Sequence, residues 1–438
     1  MRAAGPAALA AGALLLVWPA LLNGFPLVFS DTHAFLVQGG EPQMVWDKPF
    51  VYGPFLRLLH ANTTLWLPLV AQGLIVSHVL WLCRAAFAPP SWRFQLGLCG
   101  ALAVGSAAPW FAALLMPDIL APVAVLALFL LAFSPAVSRG QNVWLVVLAG
   151  WAIASHLSYL PLAAVVTAVA LVRGGRRLVV APLALALGVL VASNAIGHGR
   201  VGLSPYGSVF ALARLVTDGP AQAVLARACP QSGWRMCDWQ GRFPADSDLF
   251  LWDGRGPVWS TPGGPAALAA EASAIVRATL LGEPVAVLRT ALGNAAVQVM
   301  RVRLGDTLGS DWLEQSITGS FRAYFPAAEM ARFRAGWQMA DRLRAIAAPF
   351  NPPHIVLLLA GAAASLVIAW RRRGRLEGVL ALLVLAAVLT NAATSGALSR
   401  PHDRYQARIA WLVLLPPVLM LRAARPAPGL PHRRSSVP

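Results

Sequence analysis

Long apolar runs recur along this chain and constrain its fold more than any other feature of the sequence. A run of about 20 apolar residues can cross the hydrocarbon core of a bilayer as a helix. Such runs occur at positions 7–22, 64–82, 94–115, 119–134, 143–157, 159–172, 178–197, 353–370, 376–393 and 406–421. They predict an all-α polytopic membrane protein with about ten transmembrane helices.

The composition agrees with that prediction and excludes one common interpretation of the charge. Hydrophobic residues make up 58% of the 438 residues and charged residues only 12%, whereas soluble domains carry about a quarter. In a soluble protein, the net charge of +17 would suggest a nucleic-acid partner. Here the arginines stand at the ends of apolar runs, where orientation signals belong, so we expect the bilayer and no nucleic acid as partner.

The distribution of arginine predicts the orientation of the helices. Positive charge in short loops marks the cytoplasmic side, and it recurs here after every second apolar run. Both termini are therefore predicted to be cytoplasmic, with a disordered tail at 422–438. The arginines concerned are Arg2, Arg84, Arg93, Arg139, Arg173, Arg176, Arg177, Arg371, Arg372, Arg373, Arg375, Arg422, Arg425, Arg433 and Arg434.

The remaining segments then face outward and divide the chain. Residues 1–197 form an N-terminal membrane domain of seven helices, and residues 353–421 form the C-terminal membrane helices. The polar stretch 198–352 between them predicts a folded extracytoplasmic region. The runs 143–157 and 159–172 are short for spans, and a re-entrant pair there would change the helix count by two.

Two features of the stretch 198–352 predict local structure. Cys229 and Cys237 lie eight residues apart in a polar segment, and an extracytoplasmic location would allow them to form a disulfide. In residues 330–346, apolar residues recur at helical spacing with arginines between them. This helix would lie either on anionic headgroups or against its own domain.

Residues capable of chemistry gather in the segments predicted to face outward. Asp31 directly follows the first apolar run, and Asp118 lies in the next outer turn. The helices themselves contain almost no ionisable residue, with His78 the main exception. Because an ion-coupled transporter needs charged groups near the bilayer midplane, this distribution favours chemistry at the outer surface.

The outward-facing residue types fit transfer from a lipid-linked phosphate. A partly shielded carboxylate such as Asp31 can act as a general base toward a hydroxyl or amine. Asp118 could orient it, share its substrate or help to hold a divalent cation. Guanidinium groups bind phosphate in a fork, and Arg400, Arg404 and Arg408 are close enough in sequence to form such a clamp.

Residues 1–180 also carry a resemblance to a known family. A short N-terminal tail and first helix lead into a long outer loop that opens with Asp31, and a second acid, Asp118 in MPDI, lies in the next outer turn. This layout resembles the GT-C superfamily of integral-membrane glycosyltransferases, which includes the protein O-mannosyltransferases and the lipid A aminoarabinose transferases. The segment DKPFVYGPF is similar to the basic, proline-containing segment of that family's first loop. Thr32 stands where many members have Glu, and GALSRPHDRYQARIAWL is similar to bacterial membrane proteins of no known substrate.

The resemblance implies a glycosyltransferase of the hexosyltransferase class in the bacterial inner membrane. It would move a sugar from a polyprenyl-phosphate donor to a glycan, lipid or protein acceptor at the periplasmic face, with Asp31 as base and Asp118 in support. No organic cofactor is implied, because positioning and charge stabilisation suffice; a divalent cation between Asp31 and Asp118 is not excluded. The predicted phosphate ligands are Lys48, Tyr52, Arg400, Arg404 and Arg408, and the supporting residues are His33, His156, His402, Asp403 and Tyr405.

Structural roles and other functions compete with this interpretation. Asp31 or Asp118 could cap a helix, and Lys48 could snorkel to the interface. His33 and His402 lack the ligand spacing typical of metal sites. A flippase or transporter of a lipid-linked substrate would need a polar midplane cavity, and a non-catalytic envelope-assembly protein would keep the two acids in separate environments.

Overall fold

The computed structural model describes residues 4–41 and 43–421 of the chain. Over these residues the fold is all-helical, and the only bridge between extended segments joins Leu27 to Leu114. The predicted all-α class is therefore confirmed for the described chain. The predicted disordered tail and the orientation signal at Arg2 lie outside the described residues.

The chain forms two compact units, and their bounds differ from the predicted domains. The first unit comprises the described residues up to Val189, Val302–Thr390 and the described residues from Asp403 on; the second comprises Leu190–Arg301 and Asn391–His402. Residues 302–352, which we assigned to an extracytoplasmic region, belong to the first unit. They do so because polar side chains such as Gln338 bond to the loop that follows the first two helices. Gln338 Nε2 donates to the Val28 carbonyl at 2.7 Å.

The helices of the first unit come from both ends of the chain. They are α1 (Ala4–Leu16), α2 (Trp18–Asn23), α3 (Thr32–Gly40), α4 (Tyr52–His60), α5 (Trp66–Ala85), α6 (Trp92–Gly105), α7 (Ala108–Ala112), α8 (Leu120–Phe133), α9 (Arg139–Ala154), α10 (Tyr159–Val172), α18 (Leu313–Tyr324), α19 (Ala327–Ala335), α20 (Arg342–Ala347), α21 (Asn351–Arg371), α23 (Asp403–Ala410) and α24 (Leu415–Met420). Two more helices, α11 (Ala181–His198) and α22 (Leu376–Leu398), begin in the first unit and end in the second.

The second unit consists mainly of short helices. They are α12 (Gly207–Thr217), α13 (Pro220–Ala228), α14 (Ser247–Trp252), α15 (Pro257–Ser260), α16 (Gly264–Gly282) and α17 (Pro284–Met300). A disulfide joins Cys229 to Cys237 across a Cα–Cα distance of 5.6 Å. This is the pair that the sequence singled out.

Several of these helices could span a membrane. Within the described residues, four helical stretches are long and apolar enough, namely Trp66–Ala85, Arg177–His198, Arg342–Arg371 and Leu376–Leu398. A fifth is possible if α12 and α13, which bend by 92° at their junction, count as one span. Three further apolar helices are shorter, namely Gly5–Leu16, Pro117–Phe133 and Tyr159–Val172. The first of them ends at the break between α1 and α2.

Helix α8 forms the centre of the first unit. Every residue from Leu120 to Ala132 is buried, and α5, α9 and α10 pack against it. A helix that is apolar on all sides is stable when other helices bury all of its faces, and α8 is packed in this way. Its N-terminal end, directly after Asp118, is where the candidate site lies.

The predicted amphipathic helix at 330–346 is broken into α19 and α20. Asn23 causes the break by binding the backbone between them: its carbonyl accepts from the Trp337 amide at 3.2 Å and its side-chain oxygen from the Gln338 amide at 2.7 Å. Phe333 and Leu343 are buried within the first unit. The segment therefore packs within the first unit and not on the region 198–301 with which we had grouped it.

Candidate functional site

A short parallel bridge brings the two predicted acids together. The Leu27 amide donates to the Ala113 carbonyl at 3.0 Å, and the Leu115 amide donates to the Leu27 carbonyl at 2.9 Å. Leu27 and Leu114 are paired, and an aspartate follows each of them four residues later: Asp31 follows Leu27, and Asp118 follows Leu114. Two acids that are 87 positions apart in sequence (118 − 31) therefore become neighbours.

The turn that carries Asp31 is fixed by Thr32. The Thr32 hydroxyl donates to the Leu115 carbonyl at 3.2 Å and accepts from the Phe29 amide at 2.9 Å. Asp31 occupies the N-cap position of α3, yet its carboxylate accepts no bond from the helix backbone. The capping role that the sequence allowed for this side chain is thus not observed, and the carboxylate is available to other groups.

Arg404 joins the two acids. It lies at the start of α23, and its guanidinium donates to both oxygens of Asp118, each at 2.9 Å. The same guanidinium reaches Asp31 at 3.4 Å. One arginine therefore binds a buried carboxylate tightly in a fork and a second carboxylate more loosely.

Lys48 is the second cation on Asp31. Its ammonium lies 3.4 Å from an Asp31 oxygen and 2.5 Å from Asp47. The Lys48 side chain is largely buried, so the snorkelling role that the sequence allowed for it does not occur.

Arg408 completes the charge around Asp118. It lies one turn after Arg404 on α23, as predicted, and contacts Asp118 at 3.4 Å. Its other guanidinium nitrogen donates to the Ser158 hydroxyl at 3.2 Å, which in turn lies 2.7 Å from His156 Nδ1. Burial, and next the charge of Arg408, lower the pKa of His156 to about 3, so His156 is neutral.

Aromatic rings support both arginines. The Arg404 guanidinium lies 4.6 Å from the centre of the Phe29 ring, and Arg408 lies 5.0 Å from that of Tyr159. Tyr405 is shared, at 5.8 Å from Arg404 and 5.3 Å from Arg408. Such cation–π contacts stabilise buried guanidinium groups and fix their planes.

We call Asp31, Asp47, Lys48, Asp118, Arg404 and Arg408 the Arg404 cluster. Its three carboxylates and three cations sum to zero formal charge. The acids differ in exposure: the side chain of Asp31 is 31% exposed, that of Asp47 9% and that of Asp118 0%. The carboxylate that a ligand can reach is Asp31.

The cations tune that accessible carboxylate. Burial alone would raise the pKa of Asp31, but Lys48 and Arg404 together outweigh it and hold the pKa below its usual value of 3.8. The pKa of Lys48 is raised, because the charges of Asp31 and Asp47 outweigh the effect of burial, which alone would lower it. Both groups are thus charged at neutral pH.

Several predicted site residues have other partners. Tyr52 is fully buried and donates its hydroxyl to Gln72 at 2.9 Å, so it offers no hydroxyl proton to a phosphate. His33 Nδ1 lies 2.6 Å from the Ser320 hydroxyl. Asp403 accepts from the Arg303 amide at 2.9 Å, which anchors the start of α23. We therefore correct the assignment of Tyr52 as a phosphate ligand, whereas the supporting roles of His33 and Asp403 stay predictions.

Arg400 and His402 belong to the second unit. Arg400 pairs with Asp246 at 2.8 Å and Asp248 at 3.3 Å, and His402 Nε2 lies 3.3 Å from Asp248. These contacts pair both side chains with carboxylates of their own unit. We therefore do not count them in the Arg404 cluster, and their predicted role at the site stays a prediction.

A metal site is not evident in the cluster. Across the part of the chain that the structure describes, no group of three or more His, Cys, Asp or Glu side chains could hold a metal ion. Asp31 and Asp118 both contact Arg404, so the positive charge between them comes from its guanidinium.

The sequence interpretation missed three residues that shape the site. Asp47 pairs with Lys48, Asp306 accepts from the Arg404 amide at 3.1 Å, and Gln338 holds the Asp31 loop through Val28. Asp47 could have been found, because it adjoins a candidate ligand. Asp306 and Gln338 carry no local signal, since their partners are distant in sequence.

Comparison with known proteins adds no relative. No protein-family model, curated protein or solved structure matches this chain.

Proposed function

We propose that this protein is a bacterial inner-membrane glycosyltransferase. It transfers a sugar from a polyprenyl-phosphate donor to an acceptor at the periplasmic face, and both of its termini lie in the cytoplasm. About ten helices cross the membrane in this proposal, including the four to five candidate spans of the fold. The Arg404 cluster is its reaction centre.

The accessibility of Asp31 is the single observation that carries the proposal. Its two cation contacts are both 3.4 Å long, whereas Asp118 holds Arg404 at 2.9 Å. An incoming phosphate can therefore compete with Asp31 for Lys48 and Arg404 without disturbing the tighter pair. Asp118, with no exposed surface, acts as a positioning residue, which is one of the roles that the sequence suggested for it.

The proposed reaction is a single displacement. An acceptor hydroxyl oxygen bonds to the anomeric carbon of the donor sugar while the bond from that carbon to the phosphate oxygen breaks. The electron pair of the broken bond stays on the phosphate, where Lys48 and Arg404 stabilise the charge. The acceptor proton passes to Asp31, which later returns it to solvent, and polyprenyl phosphate leaves.

Donor binding would strengthen the base. In the free protein Lys48 and Arg404 keep Asp31 a weak base. A phosphate beside Asp31 shares those two cations and adds negative charge, and both effects raise the pKa of Asp31. Asp31 would then accept a proton most readily when the donor is present.

The experiment measures polyprenyl phosphate, the product that transfer from any of the proposed donors would release. Purified protein in nanodiscs receives a panel of polyprenyl-phosphate sugars with cell-envelope extract as acceptor, and released polyprenyl phosphate is quantified by mass spectrometry. Loss of a general base lowers the rate by about 100-fold or more, and we expect this for Asp31→Asn. Glu41→Gln is the matched control, because Glu41 lies in the same loop and its carboxylate accepts a hydrogen bond from the Tyr324 hydroxyl.

Two outcomes contradict the proposal. One is an Asp31→Asn variant as active as the Glu41→Gln control. The other is a wild-type protein that releases no polyprenyl phosphate from any donor in the panel. Movement of intact donor between the leaflets of vesicles reconstituted with the same protein would then support the flippase alternative. The assembly-protein alternative expected Asp31 and Asp118 in separate environments, and their shared contact with Arg404 argues against it.

A further inference from the structure

A cavity of about 520 Å³ opens beside the Arg404 cluster and has no role in the displacement step. Phe29 and Ser30, the two residues before Asp31, form one wall. The cavity therefore adjoins the residue that we propose as the base. The rest of its lining consists of Asp306, Gly309, Asp311, Trp312 and Arg344.

The cavity and the cluster share structural elements. Asp306 accepts a hydrogen bond from the Arg404 amide at 3.1 Å, and the Phe29 ring lies against the Arg404 guanidinium. A ligand in the cavity thus approaches Asp31 from the side of Ser30. Lys48 is not part of the lining.

Trp312 is an unusual residue for this position. Its side chain is 72% exposed, and its backbone has φ of 63°, a left-handed conformation that large residues rarely adopt. No hydrogen bond from the indole and no ring contact is present among the described residues. Strained backbone conformations of this kind cluster at ligand sites. We therefore take the exposed Trp312 ring as a candidate ligand contact.

The charges of the lining exclude an anion and suit a neutral ligand. Asp306 and Asp311 would repel phosphate, and Arg344 is paired with Asp311. Carboxylates accept hydrogen bonds from hydroxyl groups, and a guanidinium donates to hydroxyl oxygens. The face of an indole is electron-rich and attracts the weakly positive C–H groups on one face of a sugar ring.

We propose that this cavity is the acceptor subsite and that it binds a neutral sugar, stacked on Trp312. Asp306 and Asp311 accept hydrogen bonds from its hydroxyl groups, and the hydroxyl nearest Ser30 is the one presented to Asp31. The inference rests on the proposed glycosyl transfer and narrows the acceptor from glycan, lipid or protein to a glycan. The donor phosphate binds on the other side, at Lys48 and Arg404.

Direct binding tests the subsite without turnover. Saturation-transfer NMR is recorded on protein in nanodiscs with methyl glycosides of neutral hexoses and N-acetylhexosamines as probes. We expect at least one probe to bind the wild type and to bind Trp312→Ala about tenfold more weakly, while Trp312→Phe retains most of the affinity. Trp370→Ala is the matched control, because Trp370 is also 72% exposed and lies at the end of α21.

A second arm separates this inference from the proposed function. Asp31→Asn should bind the probe as the wild type does, because it keeps the whole cavity. In the transfer assay Trp312→Ala should raise the acceptor KM about tenfold and leave the donor KM unchanged. If Asp31→Asn loses transfer while Trp312→Ala matches Trp370→Ala in both assays, the subsite is wrong and the function stands.

Three results overturn the inference. They are no binding of any neutral probe to the wild type, equal binding by the wild type and Trp312→Ala, and preferential binding of a simple amine such as ethanolamine. The last would identify the two carboxylates as a cation site. Sugar binding by a wild-type protein without any transferase activity would contradict the proposed function and, with it, the acceptor role of the cavity, and would leave only a sugar-binding site.

Discussion

The segment 399–408 supplies arginines to two ion-pair clusters, one in each compact unit. The Arg404 cluster lies in the first unit. In the second unit Arg400 and His402 meet Asp246 and Asp248, a set that we call the Arg400 cluster. The side chain of Arg404 is 7% exposed and that of Arg400 is 43% exposed.

Both clusters pair arginine with aspartate, and they differ in burial. An exposed ion pair competes with water and with salt, and contributes about 0–1 kcal/mol to stability. A buried pair has already lost its hydration, so removal of one partner leaves an uncompensated charge. The comparison shows that the contribution of an arginine–aspartate pair to stability depends on whether the fold buries it. The sequence motif alone does not set that contribution.

Asp118→Asn should have the largest effect on stability. It leaves Arg404 and Arg408 without their buried carboxylate, and we expect the free energy of unfolding to fall by about 3–5 kcal/mol. The measurement is the midpoint of SDS-induced unfolding in mixed micelles, followed by circular dichroism. Asp246→Asn in the Arg400 cluster is the control, and equal losses for the two variants would break the comparison.

Arg404→Lys should have the second largest effect. Lysine keeps the charge but cannot form the two parallel bonds to Asp118 or reach Asp31 at the same time. We expect a loss of about 2 kcal/mol in the same assay and a transfer rate reduced at least tenfold. Arg400→Lys is the counterpart, and a transfer rate that fell as far in this variant would place Arg400 in the site after all.

Lys48→Met should change the pH dependence of transfer. With Lys48 present, Asp31 has a lowered pKa, so its ion pairs are complete above pH 3.8 and are lost only as the pH falls through the lower folded value. Without Lys48, burial is opposed by Arg404 alone and the pKa of Asp31 rises. The acidic limb of the pH–rate profile should therefore move to higher pH, and an unmoved limb would mean that Lys48 does not act on Asp31.

Arg400→Ala should have the smallest effect. Its partners Asp246 and Asp248 can regain water, so we expect a loss of about 0–1 kcal/mol that shrinks further at about 0.5 M salt. Transfer activity should be unchanged. If Arg400→Ala lowered the free energy of unfolding as much as Asp118→Asn does, the exposure of Arg400 would not predict its contribution to stability.

Local patterns predicted much of the first unit. The apolar runs gave the all-α class, and the polar turns that follow them gave Asp31 and Asp118. Arg404 and Arg408 were predicted on one helix face, and α23 has that form. Arg400 was grouped with them only because it is near in sequence. Tyr52 was assigned through the resemblance of its segment to a family's first loop, but its hydroxyl donates to Gln72.

Contacts between distant residues could not be predicted in the same way. The bridge between Leu27 and Leu114, and the bonds from Gln338 to Val28, involve ordinary backbone groups that leave no pattern in the sequence. The cavity at Trp312 also depends on three separate parts of the chain, since Phe29, Asp306 and Arg344 all line it.

By itself, the sequence determined the positions of the apolar runs, the segments in which the charges gather and the identity of the acid that follows the first helix pair. These properties are local, because they depend on residues within one or two turns of each other. Tertiary structure alone decided that Asp118 is buried and Asp31 exposed, that Arg404 joins them, and that Arg400 does not belong to their cluster. Burial sets the strength of a charge interaction, and burial is a property of the whole packed unit.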